Sequence, residues 1–220
     1  FIYIRSNWFD KGDNKFKRIG YKGFYLYLTF FRFLVKGQKQ EYTFYTSIDK
    51  LRKCTGYSAK EIFDLIRLLY KEKIINTNSK WERWFDNNKN LKVNDFIVIE
   101  SISKPNLIRN EENFLVPATD SPDDKYIAID LRLMQHYQDL GFDERFYAVF
   151  ALINGRSNNR EGKMWMKINT MADILSFGDK TITKIIRNLN KHYLLYSNLR
   201  NNGKGGKMYE HKIVNNINNL

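Results

Sequence analysis

Residues 178–212 read GDKTITKIIRNLNKHYLLYSNLRNNGKGGKMYEHK. Ile182, Ile185, Ile186 and Leu189 recur there at the spacing of one apolar helix face, and Asp179 is placed to accept from the first free amides of that helix. Lys180, Thr181, Lys184, Arg187, Asn188 and Lys191 are left facing outward. After Tyr193 the pattern turns strand-like, reverses through Asn201, Asn202, Gly203, Lys204, Gly205 and Gly206, and returns from Lys207 to Val214. A helix followed by a basic-tipped hairpin is a shape that reads duplex DNA. The charge agrees: Lys180, Lys184, Arg187, Lys191, Arg200, Lys204, Lys207 and Lys212 oppose only Asp179 and Glu210, so about a sixth of the chain holds nearly half of its net charge of +13. The plain alternative is a solvated helix and a loop; the order of cap, helix, strands and basic tip, which puts the cations on one side, favours DNA.

Working outward, 220 residues with 43% apolar content suffice for one large or two small domains with cores, and exclude a disordered tail. The positive balance calls for a polyanion, nucleic acid or an anionic membrane face. No apolar run approaches the ~20 residues of a membrane-crossing helix; the most apolar segment is Phe24 to Val35. No secretory signal pattern is visible. A single cysteine, Cys54, reads as a small buried apolar residue, and with three scattered histidines it forms neither an internal disulfide nor a standard zinc site. A reducing, cytoplasmic setting is the expectation.

From the start, Phe1 to Phe9 reads as a strand, Asp10 to Arg18 as a basic loop, and Phe24 to Val35 as a buried helix. A second helix begins at Thr46 or Ser47 and turns Ile48 and Leu51 inward. Gly56 turns the chain, and Ser58 with Glu61 forms a capping box opening a third helix with Ile62, Leu65, Ile66 and Leu69 on its apolar face. Ile74 and Ile75 begin a strand, Asn87 to Asn90 make a turn, and Val93 to Ile99 return. Trp81, Trp84 and Phe85 lie in this hairpin, expected to pack between it and the following connector, the sharper alternative being a wedge against bases or a partner protein.

The same plan recurs about 120 residues later. Tyr3-Ile4 corresponds to Tyr126-Ile127, Phe24-Tyr25 to Phe146-Tyr147, Ile48 to Ile168 and Leu51 to Met171, while Ile62, Leu65, Ile66, Arg67, Leu69 and Lys71 match Ile182, Ile185, Ile186, Arg187, Leu189 and Lys191. This predicts an internal duplication. The expected fold is α+β, predominantly helical: two tandem winged helix-turn-helix domains, residues 1–101 and 126–220, joined by an acidic, proline-containing connector, residues 102–125. Residues 58–75 carry four bases against three acids, a poor DNA face; the first unit's positive charge sits instead at Lys11, Lys15, Lys17, Arg18 and Lys22. The second unit is the expected principal reader, and the first serves assembly or an auxiliary DNA contact through Lys15, Lys17, Arg18, Lys60 and Arg67.

No catalytic constellation is found, and no metal or cofactor is expected. Gly203 to Lys207 lacks the spacing of a phosphate loop, and Met208 stands where its hydroxyl would be. His136 and His192 read as helix padding and His211 as a wing residue adding weak pH dependence. Binding remains: Lys180, Thr181, Lys184, Arg187 and Asn188 reach base edges and phosphates, arginine suiting guanine and asparagine adenine, Lys191 extends the basic face, and Arg200, Lys204 and Lys207 reach the backbone or minor groove.

With its two strand-helix openings (Tyr3 to Phe9 before Phe24; Tyr126 to Leu133 before Phe146) and its two turn-helix runs (Gly56 to Ile75; Gly178 to Leu195), the chain resembles the tandem winged-helix replication initiators of plasmids and phages from low-GC bacteria. The resemblance covers most of the chain, through motifs that transcription repressors share. It implies a domain that binds repeats in duplex DNA at an origin, and a second that supports homodimerisation or another DNA contact, with host replication proteins as further partners. A regulator binding an operator as a dimer, and a replisome scaffold without sequence preference, stay open beside it.

Overall fold

β1 (Ile2–Arg5) buries Ile2 and Ile4 and leaves Tyr3 and Arg5 half-exposed, the period of a strand with one core face. The computed structural model describes residues 2–10, 12, 14–34, 42–77, 80–102, 105–111, 115–118, 126–157, 162–201 and 207–214. A 3-10 turn, Ser6–Phe9, then carries Trp8 and Phe9 into the core. Asn14 caps α1 (Lys15–Phe30), its side chain accepting from the Lys17 amide at 2.8 Å. The helix therefore starts inside the stretch expected as a loop, because Phe16 and Ile19 already supply a buried face. Gly20 interrupts it at φ 66° and ψ 173°, a conformation open essentially to glycine alone. From Gly23 to Phe30 every residue is buried, as a helix apolar on all sides requires.

β2 (Thr43–Thr46), α2 (Ile48–Thr55), α3 (Ala59–Lys71), β3 (Ile75–Thr77) and β4 (Ile97–Ser101) complete the first half, with an antiparallel sheet in the order β2-β4-β3. Ser47 and Ser58 cap α2 and α3 by accepting from the Lys50 and Glu61 amides. β2 went unforeseen; four residues are too few for periodicity to show. The return strand starts at Ile97 rather than Val93. Before it, Asp86 holds the turn by accepting from the Asn88 and Asn90 amides. A 3-10 turn, Trp81–Trp84, lays its rings on α3: Trp81, Trp84 and Phe85 lie 5.9, 5.7 and 5.1 Å from the Phe63 ring. Within the connector, β5 (Leu107–Arg109) and β6 (Leu115–Pro117) pair into an antiparallel ladder.

The second half runs β7 (Tyr126–Ile129), α4 (Leu131–Asp139), α5 (Glu144–Arg156), β8 (Lys163–Met166), α6 (Ile168–Leu175), α7 (Asp179–Lys191), β9 (Leu195–Asn201) and β10 (Lys207–Ile213), with the sheet order β8-β10-β9. Apart from α4, which Asp130 caps by accepting from the Arg132 amide, and from the 3-10 turns, which among the described residues occur in the first half, the order of α-helices and sheet strands repeats that of the first half up to β4. The described residues thus form a mixed α+β protein of seven α-helices and small antiparallel sheets. Among them no helix is long and apolar enough to cross a membrane.

The halves meet as quasi-equivalent partners. β1 pairs antiparallel with β7 so that Ile4 lies opposite Ile127, its own counterpart. Tyr25 of α1 meets its counterpart Tyr147 of α5 with ring centroids 5.1 Å apart. Asn14 donates to the Ile174 carbonyl at the end of α6, and Gln138 donates to the Cys54 carbonyl at the end of α2, two carbonyls 120 residues apart in sequence. Tyr57, after α2, donates to Glu144 at the start of α5; Phe177, after α6, packs on Tyr21 of α1. Several contacts made by one half on the other are thus returned, as in an isologous two-fold interface, here within one chain; the Arg156–Asp10 ion pair at 2.7 Å has no such return among the described residues. The buried apolar residues of both halves join in one continuous core.

Candidate nucleic-acid interface

α6 ends at Ser176, which takes the left-handed conformation at φ 55°, and α7 opens two residues later with Gly178 as its cap. Gly178 makes no side-chain bond, and Asp179 is the first helical residue instead of the cap expected. There its charge favours the helix through the positive end of the backbone dipole. Ile182, Ile185, Ile186 and Leu189 are all buried. Lys180, Lys184, Arg187 and Lys191 are exposed, Thr181 and Asn188 half-exposed. Among the described residues none of these four cations has an ion-pair partner. An open hollow of about 390 Å³ runs along this face, lined by Asp179, Lys180, Thr183, Lys184, Arg187 and Asn188. Thr183 was missed by sequence reading; its hydroxyl donates to the Asp179 carbonyl at 2.8 Å, which holds the side chain against the helix and leaves the hollow open.

Beyond α7 the chain turns at Tyr193, 80% exposed and left-handed at φ 57°, into the hairpin of β9 and β10. Lys207 opens β10 in register with Asn201. Lys204 and the tip of the hairpin lie outside the described residues. Arg200 approaches Glu210 at 3.5 Å and shares that carboxylate with Lys163 at 3.8 Å, so its charge is partly compensated. Tyr196 and Leu199 on β9 and Trp165 on β8 are exposed apolar groups beside these cations; alternation along the strands was the signal that could have found them.

His211 departs from expectation. It is fully buried, in register with Met164, and its Nδ1 meets the Ser197 hydroxyl at 2.8 Å while Nε2 has no partner among the described residues. Phe44, the counterpart of Met164, faces Ile99. The second half therefore carries a histidine where the first carries a core isoleucine. Burial pushes its pKa down to about 4, so at neutral pH it adds no positive charge to the β9–β10 hairpin. His192 caps the end of α7 with its ring edge-on to Phe142, and His136 lies beside Tyr137. Cys54 is half-buried. Among the described residues no three His, Cys, Asp or Glu side chains gather in a metal-binding group.

The first half distributes its charge otherwise. Lys15 is half-exposed and Lys17 exposed on α1, but Arg18 pairs with Glu72 at 2.5 Å and Lys22 with Glu61 at 2.5 Å. The hydrogen bond to Glu61 raises the Lys22 pKa and keeps it charged. Two of the three acids counted against the α3 region are thereby neutralised from α1. What faces outward is Lys60, Arg67, Lys71 and Lys73 against Asp64, a more cationic surface than sequence counting implied. The Arg67 guanidinium lies 5.7 Å over the Phe63 ring. No protein-family model matches this chain, and no curated protein matches it in sequence.

Proposed function

We propose that the chain is a sequence-specific duplex-DNA-binding protein built from two tandem winged-helix units, with α7 as its major-groove helix and the β9–β10 hairpin as its wing. The observation that carries this reading is the outward face of α7. Four cations without ion-pair partners among the described residues stand on a helix whose opposite side is fully buried, next to an exposed hairpin. Uncompensated cations at helical spacing attract phosphates at any sequence, while Arg187 and Asn188 have the donor and acceptor geometry for guanine and adenine edges. Arg200, Lys204 and Lys207 extend the contact along the backbone, and Lys15, Lys17 and Lys60 of the first unit supply auxiliary duplex contacts, while Arg67, laid over the Phe63 ring, is not among them. Arg18, held by Glu72, contributes less. The biological role we infer is replication initiation at origin repeats, with a second copy of the chain and host replication proteins as partners in the cytoplasm.

The test is selection of fragments of the source replicon on the immobilised protein at ~150 mM salt, where nonspecific contacts weaken. Enrichment of clustered repeats, lost in the Lys184→Ala, Arg187→Ala double variant, is the expected result. Enrichment of one palindrome over a promoter would replace the initiator by an operator-binding regulator. Retention without any preferred sequence would leave only a scaffold that holds the backbone. If about six phosphates are neutralised, affinity should fall about a thousandfold between 50 and 200 mM salt; a flat response would remove DNA from the proposal.

A further inference from the structure

The outward surface of α3 differs from that of α7 in one physical respect: a wall of aromatic rings stands on it. Phe63 occupies the position that Thr183 holds on α7, and the Trp81–Trp84 turn covers it. Trp81 is only partly buried there, edge-on to Tyr70 at 5.3 Å, and Tyr70 is itself 42% exposed. Between α3 and this turn lies an open cleft of about 410 Å³, lined by Arg67, Lys71, Tyr70, Trp81 and Leu68 with Asp64 as its one acid. Neither Arg67 nor Lys71 has an ion-pair partner among the described residues, and Glu61 and Glu72 are held by Lys22 and Arg18.

We propose that this cleft takes an unpaired nucleic-acid strand, bases against Trp81 and Tyr70 and phosphates against Arg67 and Lys71. The proposal rests on the reading of the chain as a nucleic-acid-binding protein and adds a second substrate class at a second site. A duplex does not suit the cleft. Its base faces are hidden in the stack, out of reach of the Trp81 and Tyr70 rings. A single strand offers π-faces and backbone charge together, which is what an aromatic wall flanked by free cations binds, with little preference among bases. A protein ligand would need dense acidic charge to match Lys60, Arg67, Lys71 and Lys73, and would leave the ring wall without a specific use.

The experiment measures binding of a fluorescein-labelled oligo(dT) strand and of a labelled duplex by anisotropy, at the same salt, to four forms of the full chain: wild type, Tyr70→Ala, Arg67→Ala, and the Lys184→Ala, Arg187→Ala double variant. Tyr70 and Arg67 are surface residues, and circular dichroism verifies that their variants fold. Tyr70→Ala and Arg67→Ala should each weaken single-strand binding roughly tenfold, the loss expected from one stacked base or one strong cation contact, with duplex affinity changed less than threefold. The α7 double variant should do the reverse. Quenching of tryptophan emission by oligo(dT), reduced in a Trp81→Phe variant, supplies a second readout at the ring itself. Single-strand affinity unmoved by Tyr70→Ala and Arg67→Ala overturns the cleft even where duplex binding through α7 stands. Single-strand binding lost in both cleft variants from a protein with no duplex affinity supports the cleft and overturns the α7 reading. Equal losses for strand and duplex reduce the cleft residues to general charge and overturn the proposal.

Discussion

His211 shows how one substitution between the two halves changes the chemistry of a conserved position in the architecture. An imidazole sealed in the sheet core, with one nitrogen satisfied by Ser197 and the other unpartnered among the described residues, resists protonation, and its pKa falls to about 4. The sign for stability follows. The unfolded chain takes up a proton at the ordinary histidine value near 6.5, the folded chain only near 4. Stability is thus unaffected above pH ~6.5 and declines as pH falls towards 4, by about 2–3 kcal/mol from this residue alone. Replacing it with the residue found at the same place in the first half, His211→Ile, should remove that dependence. Urea unfolding at pH 7 and pH 4.5 checks it: the wild-type loss of stability between the two should exceed the variant's. Equal losses would mean that carboxylates, not His211, govern acid sensitivity.

At the scale of elements, the duplication is written in backbone conformation as well as in apolar spacing. The turn that ends α2 uses Gly56 at φ 75°; the equivalent turn after α6 uses Ser176 at φ 55°. Likewise Lys73 after α3 and Tyr193 after α7 take φ 54° and φ 57°. A left-handed residue with a Cβ costs on the order of 1 kcal/mol relative to glycine. Ser176→Gly should therefore stabilise the fold by roughly 0.5–1 kcal/mol, and Gly56→Ser should destabilise it by about 1 kcal/mol or more. Chemical denaturation midpoints read both, and a Ser176→Gly variant that unfolds earlier would show that the serine is held by something other than the turn. Gly20 sits in a stricter region, and Gly20→Ala should cost about 1–3 kcal/mol through strain in α1.

On the scale of the molecule, two halves with the same order of elements are fastened by a strand pair, by Tyr25 against Tyr147, and by reciprocal side-chain bonds across the seam. The buried face of α1, which could have served a dimer between chains, is consumed within one chain against α5. Burial at that seam pushes the Tyr25 hydroxyl up to about 12, so it stays neutral and able to hydrogen-bond throughout the physiological range. Because the core is continuous, the halves should unfold together. Far-ultraviolet circular dichroism and tryptophan emission, with Trp8 and Trp84 in the first half and Trp165 in the second, should trace coincident transitions. Separate transitions would show two cores that merely touch. Tyr147→Ala should lower the single midpoint and, with it, the unfolding free energy by an amount typical of a large buried ring, about 3–5 kcal/mol.

The sequence by itself determined much of the local order. Capping serines at Ser47 and Ser58, the apolar faces of α3 and α7, the hairpin after Tyr193 and the 120-residue repeat all lie in short-range spacing, because helices and turns are set by neighbours three or four residues away. The exposed cations of α7 were legible for the same reason. Tertiary structure alone decided what depends on partners distant in the chain. Short strands such as β2 and β8 carry too few residues for a period and exist through pairing with β4 and β10. The charge of α3 could not be summed along the chain, because Glu61 and Glu72 are neutralised by residues 39 and 54 positions away. His211 looked like a surface residue of a wing until its register placed it opposite Met164 in the core. Burial is a property of the assembled layers, and only their packing selects which side of a hairpin faces water.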